Sequence, residues 1–132
     1  PQFIRRKLRL VYEPTEVKVL TDEKWLLFIL EQIISNAVKY TPSGTITIRV
    51  TEDKKLSVED TGIGIAPEDL PRIFEKGFTG YNGRNDKKAT GLGLNLCRKA
   101  AEHLNVGIAV ESKPGVGSCF TLDLKERQFN IE

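Results

Sequence analysis

Between Trp25 and Ala37 the residues Trp25, Leu26, Ile29, Leu30, Ile33, Ile34 and Ala37 recur at three- and four-residue spacing. Only a helix turns that spacing into one continuous apolar stripe, and such a stripe must be covered by another layer of structure. Thr21 can cap this helix, Asp22 and Glu23 suit its positive N-terminal end, and Pro42-Ser-Gly44 stops it after about Thr41. The helix also carries polar groups in register. Gln32, Asn36, Lys39 and Tyr40 fall at i, i+4, i+7 and i+8 and share one side. A solvated flank would account for them taken alone; the glycine-rich and acidic residues downstream argue for a wall facing a ligand.

Around the helix the pattern changes to a period of two. Lys7 to Glu13 alternates Leu8, Leu10 and Tyr12, and Val17 to Leu20 reads as a second short strand beyond Pro14. Thr45 to Thr51 alternates Ile46, Ile48 and Val50 with polar residues, and Glu52 to Lys55 turns it into Leu56–Glu59. Asp60-Thr-Gly62-Ile-Gly64-Ile65 comes next, then a short helical piece started by Pro67 and holding Ile73 and Phe74. From Glu75 to Thr90 periodicity is lost, and Lys76, Arg84, Lys87 and Lys88 crowd a loop rich in glycine and asparagine. This is either a solvated loop or a mobile lid facing an anion. Gly91 opens a further helix to about Leu104, and strands Val106–Ser112 and Ser118–Lys125 pair across Lys113–Gly117. Hairpins imply antiparallel pairing, so the fold class is α+β, a mixed, mostly antiparallel sheet of about five strands with three helices on one face.

The 132 residues suit a single domain with a sizeable core. A net charge of +2 with interleaved signs lacks the clustered basic face that a nucleic acid needs, so no nucleic-acid partner is expected. No apolar run approaches the length of a membrane span, so this segment is not itself expected to enter a bilayer. The chain starts at Pro1 and has no methionine, which suggests a domain excised from something longer. Cys97 and Cys119 match no metal spacing and read as reduced core thiols of a cytosolic compartment. His103, the sole histidine, is expected to be structural.

Three Gly-x-Gly pairs stand at junctions between elements: Gly62/Gly64, Gly91/Gly93 and Gly115/Gly117. None completes a dinucleotide fingerprint or a Walker A loop. Asp60, at a strand end before a glycine turn, can accept from an exocyclic amine. Gly91 and Gly93 lie at a helix start, where free N–H groups and the dipole favour phosphate. Asn36 offers an amide oxygen to Mg²⁺, and Lys39 a charge to phosphate. Together these residues describe a site for Mg-ATP.

The set Asn36-Ala-Val-Lys39-Tyr40-Thr41, Asp60-Thr-Gly62-Ile-Gly64, Ile73-Phe74-Glu75 with Phe78, Thr90-Gly91-Leu92-Gly93-Leu94 and Gly115-Val-Gly117-Ser118 resembles the N, G1, F, G2 and G3 boxes of bacterial sensor histidine kinases. The resemblance covers nearly the whole chain, in order. It implies the ATP-binding catalytic domain, a two-layer α/β sandwich of the Bergerat type shared with gyrase, MutL-type repair proteins and heat-shock chaperones. By position it implies that Asn36 ligates Mg²⁺, Lys39 contacts phosphate and Tyr40 packs beside adenine. Asp60 would read the adenine amine, with Gly64 giving it room and Ser118 supporting it. Gly62, Ile65, Thr90 and Leu92 also fall in the implied nucleotide site. Gly91, Gly93 and Leu94 would anchor the end of a lid formed by the basic loop, and Phe74 and Phe78 would hinge that lid or dock it. Gly77, inserted between the phenylalanines, together with Tyr81-Asn-Gly-Arg84, resembles the intramembrane-sensing kinases that respond to antibiotics such as bacitracin.

Related ATPases place a glutamate general base four residues before the magnesium asparagine; here that position is Gln32. An amide cannot take a proton at neutral pH, whereas it can orient a nucleophile. The resemblance therefore implies transfer of the γ-phosphoryl to a histidine on an upstream helical domain, then to a response regulator. The full-length protein would be a membrane-anchored homodimer with this domain in the cytoplasm. The acceptor motif is missing, so the chain is not expected to phosphorylate itself. A non-catalytic nucleotide-sensing module and a gyrase-like ATPase clamp are the alternatives.

Overall fold

A computed structural model describes residues 8–16, 21–75 and 93–125. The proposed strand Val17–Leu20 and the loop that would form the lid lie outside them. Five strands form one sheet: β1 (Leu8–Tyr12), β2 (Gly44–Val50), β3 (Lys55–Asp60), β4 (Gly107–Lys113) and β5 (Gly117–Asp123), in the order β1-β2-β3-β5-β4. β2/β3, β3/β5 and β4/β5 are antiparallel, whereas β1 runs parallel to β2. A parallel pair needs a long crossover, and helix α1 (Glu23–Lys39) supplies it. A second helix, α2 (Gly93–Leu104), precedes β4.

The expected third helix is not formed. Residues 66–75 make successive turns with one 3₁₀ turn at Leu70–Arg72, closed by short bonds such as Arg72 N–H to Asp69 C=O at 2.8 Å. Pro67 and Pro71 stand one helical turn apart, and Pro71 has no N–H to give an α-helix there. The cap of α1 also differs from expectation. Asp22, not Thr21, accepts from Lys24 N–H (3.0 Å) and Trp25 N–H (3.3 Å). A carboxylate there also meets the positive end of the helix dipole.

The core lies between the helices and one face of the sheet. Ile29, Ile33 and Ala37 of α1 and Cys97, Ala100 and Ala101 of α2 are buried with Ile46, Leu56, Val58, Phe120 and Leu122 from the strands. Small residues on α2 let its backbone come close to α1, and Cys97 Sγ approaches Ile29 C=O at 3.9 Å. Trp25 closes the other end of this helix pair, edge-on to Phe28 and 5.0 Å from the ring of His103. His103 is thus an exposed residue whose ring lies tilted at 45° against the tryptophan.

Register explains how a core becomes a site. Residues directly opposite across strands point to the same face. One row reads Tyr12, Ile48, Val58, Phe120 and Val110, wholly of carbon and ring except for one phenol. The next row, two residues along, reads Leu10, Ile46, Asp60, Ser118 and Ser112. The face therefore turns polar at one end, under β3, β5 and β4.

Candidate functional site

Asp60 closes β3 and is buried, with 7% of its surface exposed. Two backbone donors converge on one of its oxygens: Gly62 N–H at 2.9 Å and Ser118 N–H at 3.2 Å, both to Oδ1. Oδ2 receives neither. Burial pushes the carboxyl above its usual range, the two N–H groups pull it back, and neighbouring Glu59 adds to the rise. Ser118 thus reaches Asp60 through its backbone amide, not its side chain. Its hydroxyl faces that of Ser112 at 2.8 Å.

The loop after Asp60 is pinned on both sides. Ile63 N–H donates to Tyr40 C=O (3.1 Å) at the end of α1, and Ile63 C=O accepts from Gly115 N–H (2.8 Å) in the β4–β5 turn. Gly62 lies so close to the Tyr40 carbonyl that no Cβ would fit between them. Gly64 has φ +75°, and a side chain there would run into the Lys113 carbonyl. The space that Gly64 leaves is therefore taken by the hairpin backbone.

Along α1, Gln32, Asn36 and Tyr40 are half-buried and one turn apart, with Lys39 exposed beside them. The two ends of this row touch the other parts of the site. Tyr40 meets the Asp60–Ile65 loop through its carbonyl. Gln32 Oε1 lies 2.8 Å from where a Cβ on Gly93 would stand, so the first turn of α2 packs against the Gln32 amide. Asn36 lies one helical turn from both Gln32 and Tyr40 along the chain. Lys39 Nζ lies 5.5 Å from the centre of the Tyr40 ring.

Phe74 and Leu94 pack against the core, as does Ile65. The Phe74 ring meets Phe120 edge-on at 6.5 Å, and the Arg98 guanidinium sits 5.4 Å from its centre. Asn95 Nδ2 donates to Phe74 C=O (3.1 Å), tying this segment to α2. Asn95, Arg98 and Ser112 do not stand out in the sequence. Arg98 and Asn95 have no box pattern to mark them; counting back across the hairpin from Ser118 would have found Ser112. Phe78, Thr90, Gly91 and Leu92 lie outside the described residues.

Residues 21–128 match the family model for histidine kinase-, DNA gyrase B- and HSP90-like ATPases. The chain belongs to this family. It is 48% identical over 108 residues to the sensor protein BceS of Bacillus subtilis (strain 168), covering 80% of this chain and 32% of that one. It is 39% identical over 120 residues to the sensor histidine kinase GraS of Staphylococcus epidermidis, covering 89% of this chain and 35% of the other. Full-length ShkA, solved in complex with AMPPNP, superposes with a TM-score of 0.70 at 28% identity, over 89% of this chain and 25% of its own. The chain is thus similar over most of its length to sensor histidine kinases, and it spans about a third of the length of the curated relatives it matches. No helix among the described residues is long and apolar enough to cross a membrane.

Proposed function

We propose that the chain binds Mg-ATP between the polar edge of α1, the Asp60–Ile65 loop and the start of α2. From there it donates the γ-phosphoryl group to a histidine of an upstream helical domain in a two-component sensor kinase. The observation that carries this reading is Asp60. A buried carboxylate whose Oδ1 is held by two amides keeps Oδ2 as a fixed acceptor for the adenine amine, and such pre-set geometry is what base recognition requires. Tyr40, one turn beyond Asn36, flanks the base. The Gly93 helix start and Lys39 face the phosphates, joined by Gly91, Leu92 and Thr90 from the preceding segment. Phe74, tied to α2 through Asn95, borders this site. AMPPNP, an ATP analogue, is bound by the structural relative ShkA.

The donor set fits a magnesium ion carried in with the nucleotide. No cluster of three or more His, Cys, Asp or Glu side chains capable of holding a metal exists among the described residues. A single amide oxygen from Asn36 suits an ion whose other ligands are phosphate and water. Bound there, Mg²⁺ would neutralise phosphate charge. The remaining work belongs to the chain: fixing the base through Asp60, aligning the phosphates through α2, and excluding proton abstraction by presenting the neutral Gln32 where a general base would stand. The partners are then the acceptor helices of the same homodimeric, membrane-anchored kinase and a response regulator downstream, with this domain on the cytoplasmic side.

Titrating Mg-ATP into wild type and Asp60→Asn, followed by Trp25 fluorescence or heat, tests the site. Saturable binding weakened about tenfold or more in the variant is expected. Equal affinity in the two proteins refutes the reading of Asp60.

A further inference from the structure

Ser112 makes more hydrogen bonds than its place in an edge strand requires. Its Oγ accepts from Ile65 N–H (2.7 Å), donates to Gly117 C=O (3.0 Å) and lies 2.8 Å from the Ser118 hydroxyl. A hydroxyl has one proton and two lone pairs. With the proton on Gly117 C=O, Ser118 must be the donor to Ser112, and the oxygen is then saturated. One half-buried atom thus joins the far end of the glycine loop, the return strand and the residue whose amide holds Asp60. Strand register puts Asp60, Ser118 and Ser112 in one row across β3, β5 and β4, so a shift at Ser112 reaches Asp60 through a single intervening residue.

We propose that Ser112 is a positioning residue for base recognition, setting the distance between the Ile65 end of the loop and the β4–β5 hairpin so that the Asp60 carboxylate stays aimed at the exocyclic amine. The proposal rests on the adenine-reading role of Asp60. Two clamps already hold the middle of this loop, at Tyr40 and Gly115. Ile65 is the end that neither reaches, and in Ser112→Ala its N–H and the Ser118 O–H both lose their partner. The loop is expected to remain folded but to settle differently, which affects the ligand atom that depends on alignment and spares those that do not.

The test compares ATP with purine riboside triphosphate, which has the same phosphates and ring system but no exocyclic amine. Mg-dependent dissociation constants are measured for wild type, Ser112→Ala, Ser112→Thr and Asp60→Asn. Ser112→Ala should weaken ATP about tenfold while leaving the analogue within about twofold, roughly the effect of one misaligned charged hydrogen bond. Ser112→Thr, which keeps the hydroxyl, should recover most of the ATP affinity. Equal losses for both ligands, no loss for either, or no recovery with threonine overturns the positioning role. Should Ser112→Ala not fold, Ser112→Cys, with its longer and weaker contacts, should fall between threonine and Asp60→Asn in discriminating the two ligands, and wild-type discrimination there overturns the proposal. Asp60→Asn separates the two ideas: if it binds ATP as wild type does, base reading by Asp60 fails whatever Ser112 does.

Discussion

Asp60 is costly to the fold that holds it. Burial raises its carboxyl pKa, against the pull of the Gly62 and Ser118 amides, so the folded protein holds that proton to a higher pH than the unfolded chain does. Between those two values the native state binds more protons, and stability falls as pH rises through the window. The contribution is complete below the usual carboxylate range and lost above the raised value. Asp60→Asn keeps an Oδ1 for both amides and removes the charge. It is therefore expected to melt at or above the wild-type temperature at neutral pH, with the difference shrinking in acid, while losing ATP affinity. Thermal melts across pH check this; a variant clearly less stable than wild type at neutral pH would show that the charge is well compensated. The expectation fits the common pattern in which a site residue is kept at the expense of stability. Gly64 is different in kind. Its φ of +75° and its contact with the Lys113 carbonyl make it a structural requirement of the loop, whatever ligand lies beyond.

α1 has two jobs on two sides. Ile29, Ile33 and Ala37 bind it to the sheet and to α2, while Gln32, Asn36 and Tyr40 line the candidate site. Because both sides turn with the same helix, packing sets the position of the polar row. Ile33 is fully buried, and Ile33→Ala is expected to cost about 2–5 kcal/mol through lost transfer energy and the cavity left behind. Urea unfolding should show a lower midpoint with an unchanged slope, and a midpoint within error of wild type would mean that α1 is not anchored there. Segment 66–75 illustrates the opposite case. It has apolar residues at plausible spacing, but its prolines remove the donors, so it is held by tertiary contacts of Phe74 with Phe120, Arg98 and Asn95.

The sandwich encloses one thiol and leaves another near its surface. Cys97 lies fully buried between the two helices, and burial pushes its pKa up to about 12. Cys119 is half-buried on the β5 strand between Glu59 and Glu111 of the neighbouring strands, and burial raises it too, against a hydrogen bond with Thr121. Thiolate is the reactive form, so neither should be fast. A thiol reagent at neutral pH is expected to modify Cys119 slowly in the native protein and Cys97 only at the rate of global unfolding. Mass spectrometry of the labelled peptides over increasing urea checks this. Prompt native labelling of Cys97 would mean that the α1–α2 layer opens by itself.

Much of this architecture was legible in one dimension. Apolar spacing at 25–37 specified α1, alternation specified β2 and β3, the Lys113–Gly117 turn marked the β4–β5 pair, all to within a residue or two, and Pro42 and the glycine pairs placed the breaks. Such features are local: a helix face or a strand face repeats along the chain itself. The boxes containing Asn36, Asp60, Gly93 and Ser118 were legible because each is a short, contiguous run of residues in the chain. Several other features required the third dimension. The parallel pairing of β1, the replacement of Thr21 by Asp22 as the cap, and the failure of the third helix depended on which hydrogen-bond donors found partners. That Ser118 holds Asp60 by its amide and passes its hydroxyl to Ser112 was a matter of strand register, since Asp60 and Ser118 are 58 residues apart in the chain and adjacent in the sheet. The sequence determined which groups were available to the site; tertiary packing decided which atom of each group was left to face a ligand, because in a buried row every donor and acceptor already spoken for by a neighbour is withdrawn from chemistry.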